Sequence, residues 1–541
     1  MIFTGVTLLT LAGLLRWSSM TSSLTRRNNQ FESGSAAAEA AVEKVVAQMS
    51  EDFQQGGETR VSGNLLNYRQ SAPTSQESNF WSSYEFSDGQ GHVNQTFVDL
   101  VANWSYSPLE MQFKGLKGNA ATYRVISHAR QANSTQNRSS GVKAEFQIAS
   151  IPIVQYQVFY ALDLEINPGL LPLNIGGRVH SNGTIYSAPL QPLGTVTASG
   201  QIFQYQNPAD PVIRILGTVI APSQERAGVK TLNLPIGTNN NSGAVHSIIE
   251  IPPASESPGS PMGSQRYYNK ADLIILVSDS AVTGTSGSYN GFSINIPQNT
   301  LNKFLNWNSS FFNKRENKTI ITSEIDIAKF LIQYSGLKSL LGRDVKTLYI
   351  ADGRSQTSGT ESGVRLINGQ VLPALGLTVA TPNPLYVKGH YNAPLGYVGT
   401  SNTTTTVPAS LVADSITILS GNWADPKSSS GLISRLATDT TINAAMVAGI
   451  VPTGNGYYSG GLENFPRLLE NWTGKIFTFN GSVAALFRSQ IAIAPWGASA
   501  DVYVNPLIRN WSFDANFTDP LKQPSGTPTI RTLVRASWAT D

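Results

Sequence analysis

The chain contains no cysteine in 541 residues. That absence excludes disulfides, thiolate metal sites and cysteine nucleophiles together, and it leaves the compartment undecided, because envelope proteins need not use disulfides. Charge is scarce too. Asp, Glu, Lys and Arg make up 13% of the residues, and a net charge of +3 carried by scattered Lys and Arg gives no nucleic-acid footprint. The five histidines, His92, His128, His180, His246 and His390, stand apart, with no HExxH or H-x-H pairing. Neither Ser181 nor Ser420 sits in a Gly-x-Ser-x-Gly elbow, and Gly454-x-Gly456 lacks the strand-to-helix setting and acidic partner of a nucleotide site. The expectation is a protein that is not an enzyme, with no catalytic residues, metal site, cofactor or nucleic-acid partner.

What is abundant is Gly, Ser, Thr and Asn, which predicts a β-rich, turn-rich ectodomain. The length exceeds one ordinary core, so at least two structural units are expected beyond the N-terminal segment. That segment opens with Met1 to Leu15 (MIFTGVTLLTLAGLL), an uncharged apolar run closed by Arg16. After Arg26-Arg27 comes AAAEAAVEKVVAQM, dense in strong helix formers, with Ala36, Ala40, Val42, Val45, Val46 and Met49 at three- and four-residue spacings. The pattern predicts one long helix over 1–55, greasy at its start and amphipathic at its end. Leu8, Leu9, Leu11, Leu14 and Leu15 are the expected anchor and assembly residues, and Ala36, Ala40 and Val46 the expected helix-to-ectodomain contact. A secretory signal has a basic start and a small-residue cleavage site, so a retained anchor fits better. The run offers about 15 apolar residues where a span needs about 20, so upstream residues of a natural precursor are expected to complete it.

The apolar start, the Ser-rich break with Arg26 and Arg27, and Asn29 to Glu43 (NQFESGSAAAEAAVE) together resemble PilX-type minor pilins of type IV pili and related secretion systems. Position five is Gly5, where major pilins carry a glutamate. Two later phrases are similar to large PilX-domain envelope proteins: Gly376 to Thr381 with Asn383 to Asn392, and Gly460 to Arg467 with Glu470-Asn471-Trp472. The resemblance implies an inner-membrane helix with a periplasmic ectodomain. The helix would later pack among other pilin subunits in a filament at the cell surface. It carries no chemistry.

The rest of the chain reads as α+β, mainly β. A helix-proximal β region is expected over 56–145, followed over 146–230 by a β-solenoid-like or ordinary sheet region. There Gly177-Arg178-Val179, Gly194-Thr195-Val196 and Gly217-Thr218-Val219 repeat at intervals of 17 and 23 residues. Three imperfect copies fit either a few solenoid rungs or an antiparallel sheet with similar turns. Residues 231–265 read as a loop or linker. Residues 266–370 read as a small α/β insertion, with helices over Thr300 to Phe312 and Ile325 to Leu341. Residues 371–541 read as a C-terminal β region with an aromatic core around Phe465, Trp472, Phe477, Phe479, Phe487 and Trp496. Asp163 and Glu165, two apart on a strand, share one face. They are the only hint of the competing reading, a membrane-tethered carbohydrate-binding or carbohydrate-active β-helix protein with a glycan or other surface ligand as partner.

Overall fold

The computed structural model describes residues 2–133, 139–169, 173–187, 190–191, 195–212, 219–220, 224–287, 293–454, 456–496, 501–505 and 508–540. The chain forms two compact units, Met1–Ile151 with Arg531–Asp541, and Pro152–Ile530. The six sections expected from texture are thus gathered into two, and the last residues return to the unit in which the chain begins.

In the first unit the run of helix formers becomes α1 (Ile2–Gly63), broken at Gly57, whose φ of 71° is outside the helical region. The break exposes last-turn carbonyls, and Arg531 satisfies them: its Nη1 donates to the carbonyls of Phe53 and Gln54, each at 2.9 Å. Strands β1 (Tyr84–Ser87), β2 (Phe97–Pro108), β3 (Lys117–Gln131) and β4 (Ser140–Pro152) form a sheet with the final strand, Thr529–Thr540. Both β1 and β2 pair antiparallel with β3, as does β4. Alternation along β3 turns Ala121, Tyr123 and Val125 inward, against the helix.

The helix face that meets them is Ala37, Ala38, Ala41, Val42, Val45, Val46, Met49 and Phe53. The expected contact is therefore one position off. Ala36 is exposed and Ala40 half-buried, while Val46 is buried. In an alanine-rich stretch every position is weakly apolar, and the inward arc is set by the bulky residues. The four-residue step upstream from Val42 and Val45 lands on Ala38 and Ala41. At Gly34 an added Cβ would lie 2.9 Å from Ser140 Oγ and 3.1 Å from the Ala129 carbonyl, so helix and sheet meet there with no room for a side chain.

The second unit is built from short strands: β5 (Tyr156–Tyr160), β6 (Leu164–Ile166), β7 (Leu173–Asn174), β8 (Arg178–Ser181), β9 (Ile185–Ser187), β10 (Leu190–Gln191), β11 (Thr195–Ala198), β12 (Ile202–Phe203), β13 (Val219–Ile220) and β14 (Gln224–Arg226). The chain visits three sheets in rotation. Strands β5, β8, β11 and β14 lie in one, β6, β9 and β12 in a second, and β7, β10 and β13 in a third. The pairing is parallel throughout. The 17-residue interval is the length of one turn: Val179 pairs with Val196, and Ile185 with Ile202. The third phrase departs from this, because Val219 pairs with Leu190 in the third sheet. The longer excursion after Phe203 has displaced it. Gly194, Gly217 and Thr218 lie outside the described residues.

Residues 227–272 hold no strand but are not a free linker. Val245, Ile248 and Ile249 are buried, and the Tyr349 hydroxyl donates to the Ile249 carbonyl at 2.8 Å. Then come β15 (Leu273–Val277), β16 (Val282–Ser286), β17 (Asn295–Ile296), β18 (Leu305–Asn313), β19 (Lys318–Asp326), β20 (Thr347–Asp352), β21 (Thr360–Ile367), β22 (Leu377–Ala380), β23 (Leu385–Lys388), β24 (Ala409–Ala413), β25 (Ile416–Leu419), β26 (Thr440–Ile450), β27 (Pro466–Leu468), β28 (Ile476–Arg488) and β29 (Ile508–Ser512). From β20 to β28 the chain alternates between the large sheet and a six-stranded one, and each pass pairs parallel with the previous pass. Since β28 also pairs with β5, one column of side chains runs through both sets of strands: Leu273, Leu348, Val379, Leu411, Met446, Val483, Val158, Val179 and Val196. None of these nine is more than 3% exposed, and burying a side chain of this size contributes about 1.5–3 kcal/mol.

Two expectations for 266–370 change. The segment is not an insertion between other strands, because β15 and β20 carry the large sheet past β22. The expected helix over 300–312 is a short turn, Gln298–Leu301, followed by β18. Phe304, Leu305 and Phe311 mimic helical spacing, but Asn306, Asn308 and Ser310 alternate outward, and the pairing with β19 decides the outcome. The second helix is present as Ile327–Leu341, capped by the Asp326 side chain and ended by Gly342 at φ 67°.

Candidate functional site

The upstream half of α1 carries a run of exposed large apolar side chains. Leu8, Leu9, Leu11, Leu14 and Leu15 are 57–75% exposed, and Phe3, Val6, Trp17, Met20 and Leu24 are exposed around them. At 100° per residue these side chains point in every direction, a pattern that suits a helix surrounded by apolar neighbours. Four threonine hydroxyls in the stretch are satisfied internally: Thr7, Thr10, Thr21 and Thr25 donate to the carbonyls of Phe3, Val6, Trp17 and Thr21 at 2.9–3.0 Å. The five leucines expected to act together thus lie on one element, outside the hydrophobic core of their unit. No helix among the described residues is long and apolar enough to cross a membrane.

A second feature lies in the larger unit. Glu165, on β6, is buried and accepts from Asn207 Nδ2 at 3.2 Å and from the Ser459 hydroxyl at 3.4 Å. Burial pushes its carboxyl above the ordinary range. Asp163 is exposed and accepts the backbone N–H of Thr184, on the next turn of chain, at 2.7 Å. Both carboxylates line one cavity of about 40 Å³, as do Tyr160, Arg315, Asn464 and Arg467. Tyr160 and Arg315 had no signal in the sequence beyond their place in mixed polar and apolar runs.

Beside this cavity lies Glu463, from the phrase Gly460 to Arg467. It accepts from the Tyr458 hydroxyl at 3.2 Å and the Asn167 N–H at 3.1 Å, and burial pushes its pKa up to about 7. An acid whose pKa is raised on folding binds a proton that the unfolded chain has released, so stability falls as pH rises from about 4.5 to about 7. Urea unfolding across that window is expected to show a loss of roughly 3 kcal/mol that Glu463→Gln removes. An unchanged slope in the variant would refute the assignment.

The histidines do not converge. His180 is buried, bonded to Thr197 Oγ1 at 2.8 Å and Asn182 Oδ1 at 2.9 Å, and burial lowers its pKa to about 4. The described residues contain no group of three or more His, Asp or Glu placed to hold a metal ion. The aromatic residues Phe465, Trp472, Phe477, Phe479 and Phe487 are buried core, with Trp511 packed edge-on to Phe477 and Phe479. Phe477, Phe479 and Phe487 lie on β28, between β26 and β5 in the large sheet, while Phe465 immediately precedes β27 of the six-stranded sheet.

No family model matches the chain, so the PilX assignment finds no support at family level. No curated protein matches it significantly. Among solved structures, the chain is similar to the competence-associated pilin ComZ from Thermus thermophilus, at 11% identity and a TM-score of 0.30, over 94% of this chain and 96% of that one.

Proposed function

We propose that the chain is a non-enzymatic structural subunit of a cell-envelope filament of the type IV pilus or type II secretion kind, in the manner of a minor pilin. One observation carries this reading: α1 is clamped to its sheet from Ala37 to Phe53, yet from Phe3 to Leu24 it presents large apolar side chains to solvent on all sides. Such a surface is stable only when apolar neighbours cover it, and helices of the same kind supply close packing without any dedicated chemistry. Before assembly the run would rest in the inner membrane with Arg16 at the interface. In the filament it would pack among the helices of other pilin subunits. The rotation of short parallel strands supports reading the larger unit as a β-solenoid displayed on the outside.

The test is fractionation of the native host. Filaments sheared from cells are expected to contain the chain, and its confinement to the soluble periplasmic fraction would overturn the proposal.

A further inference from the structure

The second sheet of the larger unit carries two parallel columns. Leu164, Ile185 and Ile202 form one, and Glu165, Tyr186 and Phe203 form the other, in direct register; Glu165 is buried, and Tyr186 and Phe203 are half-buried. The rings of Tyr186 and Phe203 are stacked, with centroids 5.6 Å apart and planes inclined by 27°. Tyr205 stacks on Phe203 at 4.7 Å and is 46% exposed. Strands in a sheet repeat every 4.8 Å or so, close to the thickness of one stacked ring, so a column of side chains can continue as a stack. This stack stops at Tyr186. Its partner on the next strand is Glu165.

The position is polar and hydrogen-bonding capacity there is unused. The cavity of about 40 Å³ is lined by Asp163, Glu165 and Asn207, and also by two buried residues that each hold one polar atom with no hydrogen-bond partner among the described residues: the Tyr160 hydroxyl and Arg315 Nη1. Tyr160 is 2% exposed, so its hydroxyl is desolvated whether or not it is bonded. A buried hydroxyl without a partner costs on the order of 1–3 kcal/mol, which a bonded ligand or water would recover. The cavity holds one or two waters or a single substituent of a ligand, not a whole ring. The ring would have to sit outside it, over Tyr186.

We propose that this column is a binding site for a neutral polysaccharide: one pyranose packs its C–H face on Tyr186 outside the cavity, with its hydroxyl rim on Asp163 and Asn207 and one substituent directed into the cavity toward Glu165, Tyr160 and Arg315. The match is chemical. A pyranose offers an apolar face for the ring and donors for the carboxylates, and it brings no charge into a site that already holds two acids. A nucleic-acid strand fits less well, since its phosphates would meet Asp163 and Glu165. Of the two arginines at the cavity, Arg467 is already paired with Glu316 at 2.7 Å, and Arg315 donates to the Ala494 carbonyl at 3.1 Å. The proposal does not depend on filament assembly, because every residue in it belongs to the larger unit.

The experiment is affinity gel electrophoresis of the full chain in gels containing a soluble β-1,3-glucan, a galactomannan or an α-glucan, with a thymidine oligonucleotide as the competing probe. At least one of the three polysaccharides is expected to retard the protein. Tyr186→Ala should weaken that binding about tenfold or more, and Tyr186→Phe should retain it within about threefold. Glu165→Gln and the exposed-site variant Tyr205→Ala cover the case in which Tyr186→Ala loses its fold. Glu165→Gln should bind more weakly while keeping the wild-type melting profile. Retardation by none of the three polysaccharides, unchanged binding by both Tyr186→Ala and Glu165→Gln, or binding of the oligonucleotide alone would each overturn the proposal.

Discussion

Asp414→Ala is expected to cost the larger unit about 3–5 kcal/mol, enough to move its thermal midpoint by several degrees. Asp414 stands at the corner between β24 and β25 with no exposed surface. Its carboxylate accepts the backbone N–H groups of Gln490 at 2.6 Å and Ala492 at 2.9 Å, and it also bonds His246 Nε2 at 3.2 Å. One side chain thus ties the segment after β28 and the crossing segment around His246 to a corner of the sheet. Burial alone would raise the Asp414 carboxyl and lower the His246 imidazole. The bond between them, the backbone donors on Asp414 and Glu250 beside His246 outweigh it, so Asp414 is held below its ordinary value and His246 above. Alanine leaves the N–H groups buried without acceptors and takes from the imidazolium the more deeply buried of its two carboxylate partners, leaving Glu250.

The pH dependence follows from the sign of those shifts. A histidine raised on folding contributes stability that is fully present below its unfolded value near 6.5 and is lost as pH rises through the folded value. The difference between wild type and Asp414→Ala should therefore be larger at pH 6 than at pH 9. Paired calorimetric scans at the two values check this, and an equal or reversed difference would show that the histidine bond is incidental.

Leu11→Glu is expected to remove the chain from sheared filaments by at least about tenfold while leaving the melting profile of the purified protein unchanged. Leu11 is 57% exposed and lies well upstream of the clamped stretch of α1, so nothing in its own unit depends on it. In an assembled helix bundle the same position would be enclosed. Burying a leucine contributes about 1.5–3 kcal/mol, and a carboxylate among apolar helices costs several more. The contrast between intact folding and lost assembly separates an interface role from a structural one. Incorporation at the wild-type level would mean that the upstream half of α1 is not where subunits meet.

The legible parts of the fold were those where one physical signal acts alone. The long helix could be read because its formers are continuous and its break falls on Gly57, a residue suited to a positive φ. The 17-residue turn could be read because Val179 and Val196, and Ile185 and Ile202, recur without intervening excursions. The larger repeat was hidden. Residues 348, 379, 411, 446 and 483 stack in one column, yet the loops between them differ in length, so no fixed period marks them. The adjacency of β28 and β5 was hidden as well, since more than 300 residues separate Val158 from Val483 and only their pairing reveals it. The exposed apolar run that holds Leu8 to Leu15 could be found from hydropathy. The error at Ala36 and Ala40 arose where hydropathy does not discriminate among alanines. Asp163 and Glu165 could be noticed from spacing, but Tyr160, Arg315, Asn207 and Tyr186 meet them only through the turn-to-turn register.

The central claim, that the upstream half of α1 is covered by the helices of other subunits, is tested most directly by photocrosslinking in intact cells of the native host. The photoreactive residue p-benzoylphenylalanine would be placed at Leu11 and, as a control, at Ile433, which is 84% exposed in the larger unit. The account predicts adducts at the first position whose mass spectra map to the N-terminal helices of other filament subunits, with none of these at the second. Adducts at Leu11 confined to lipid or to soluble proteins, in cells that display filaments, would contradict it.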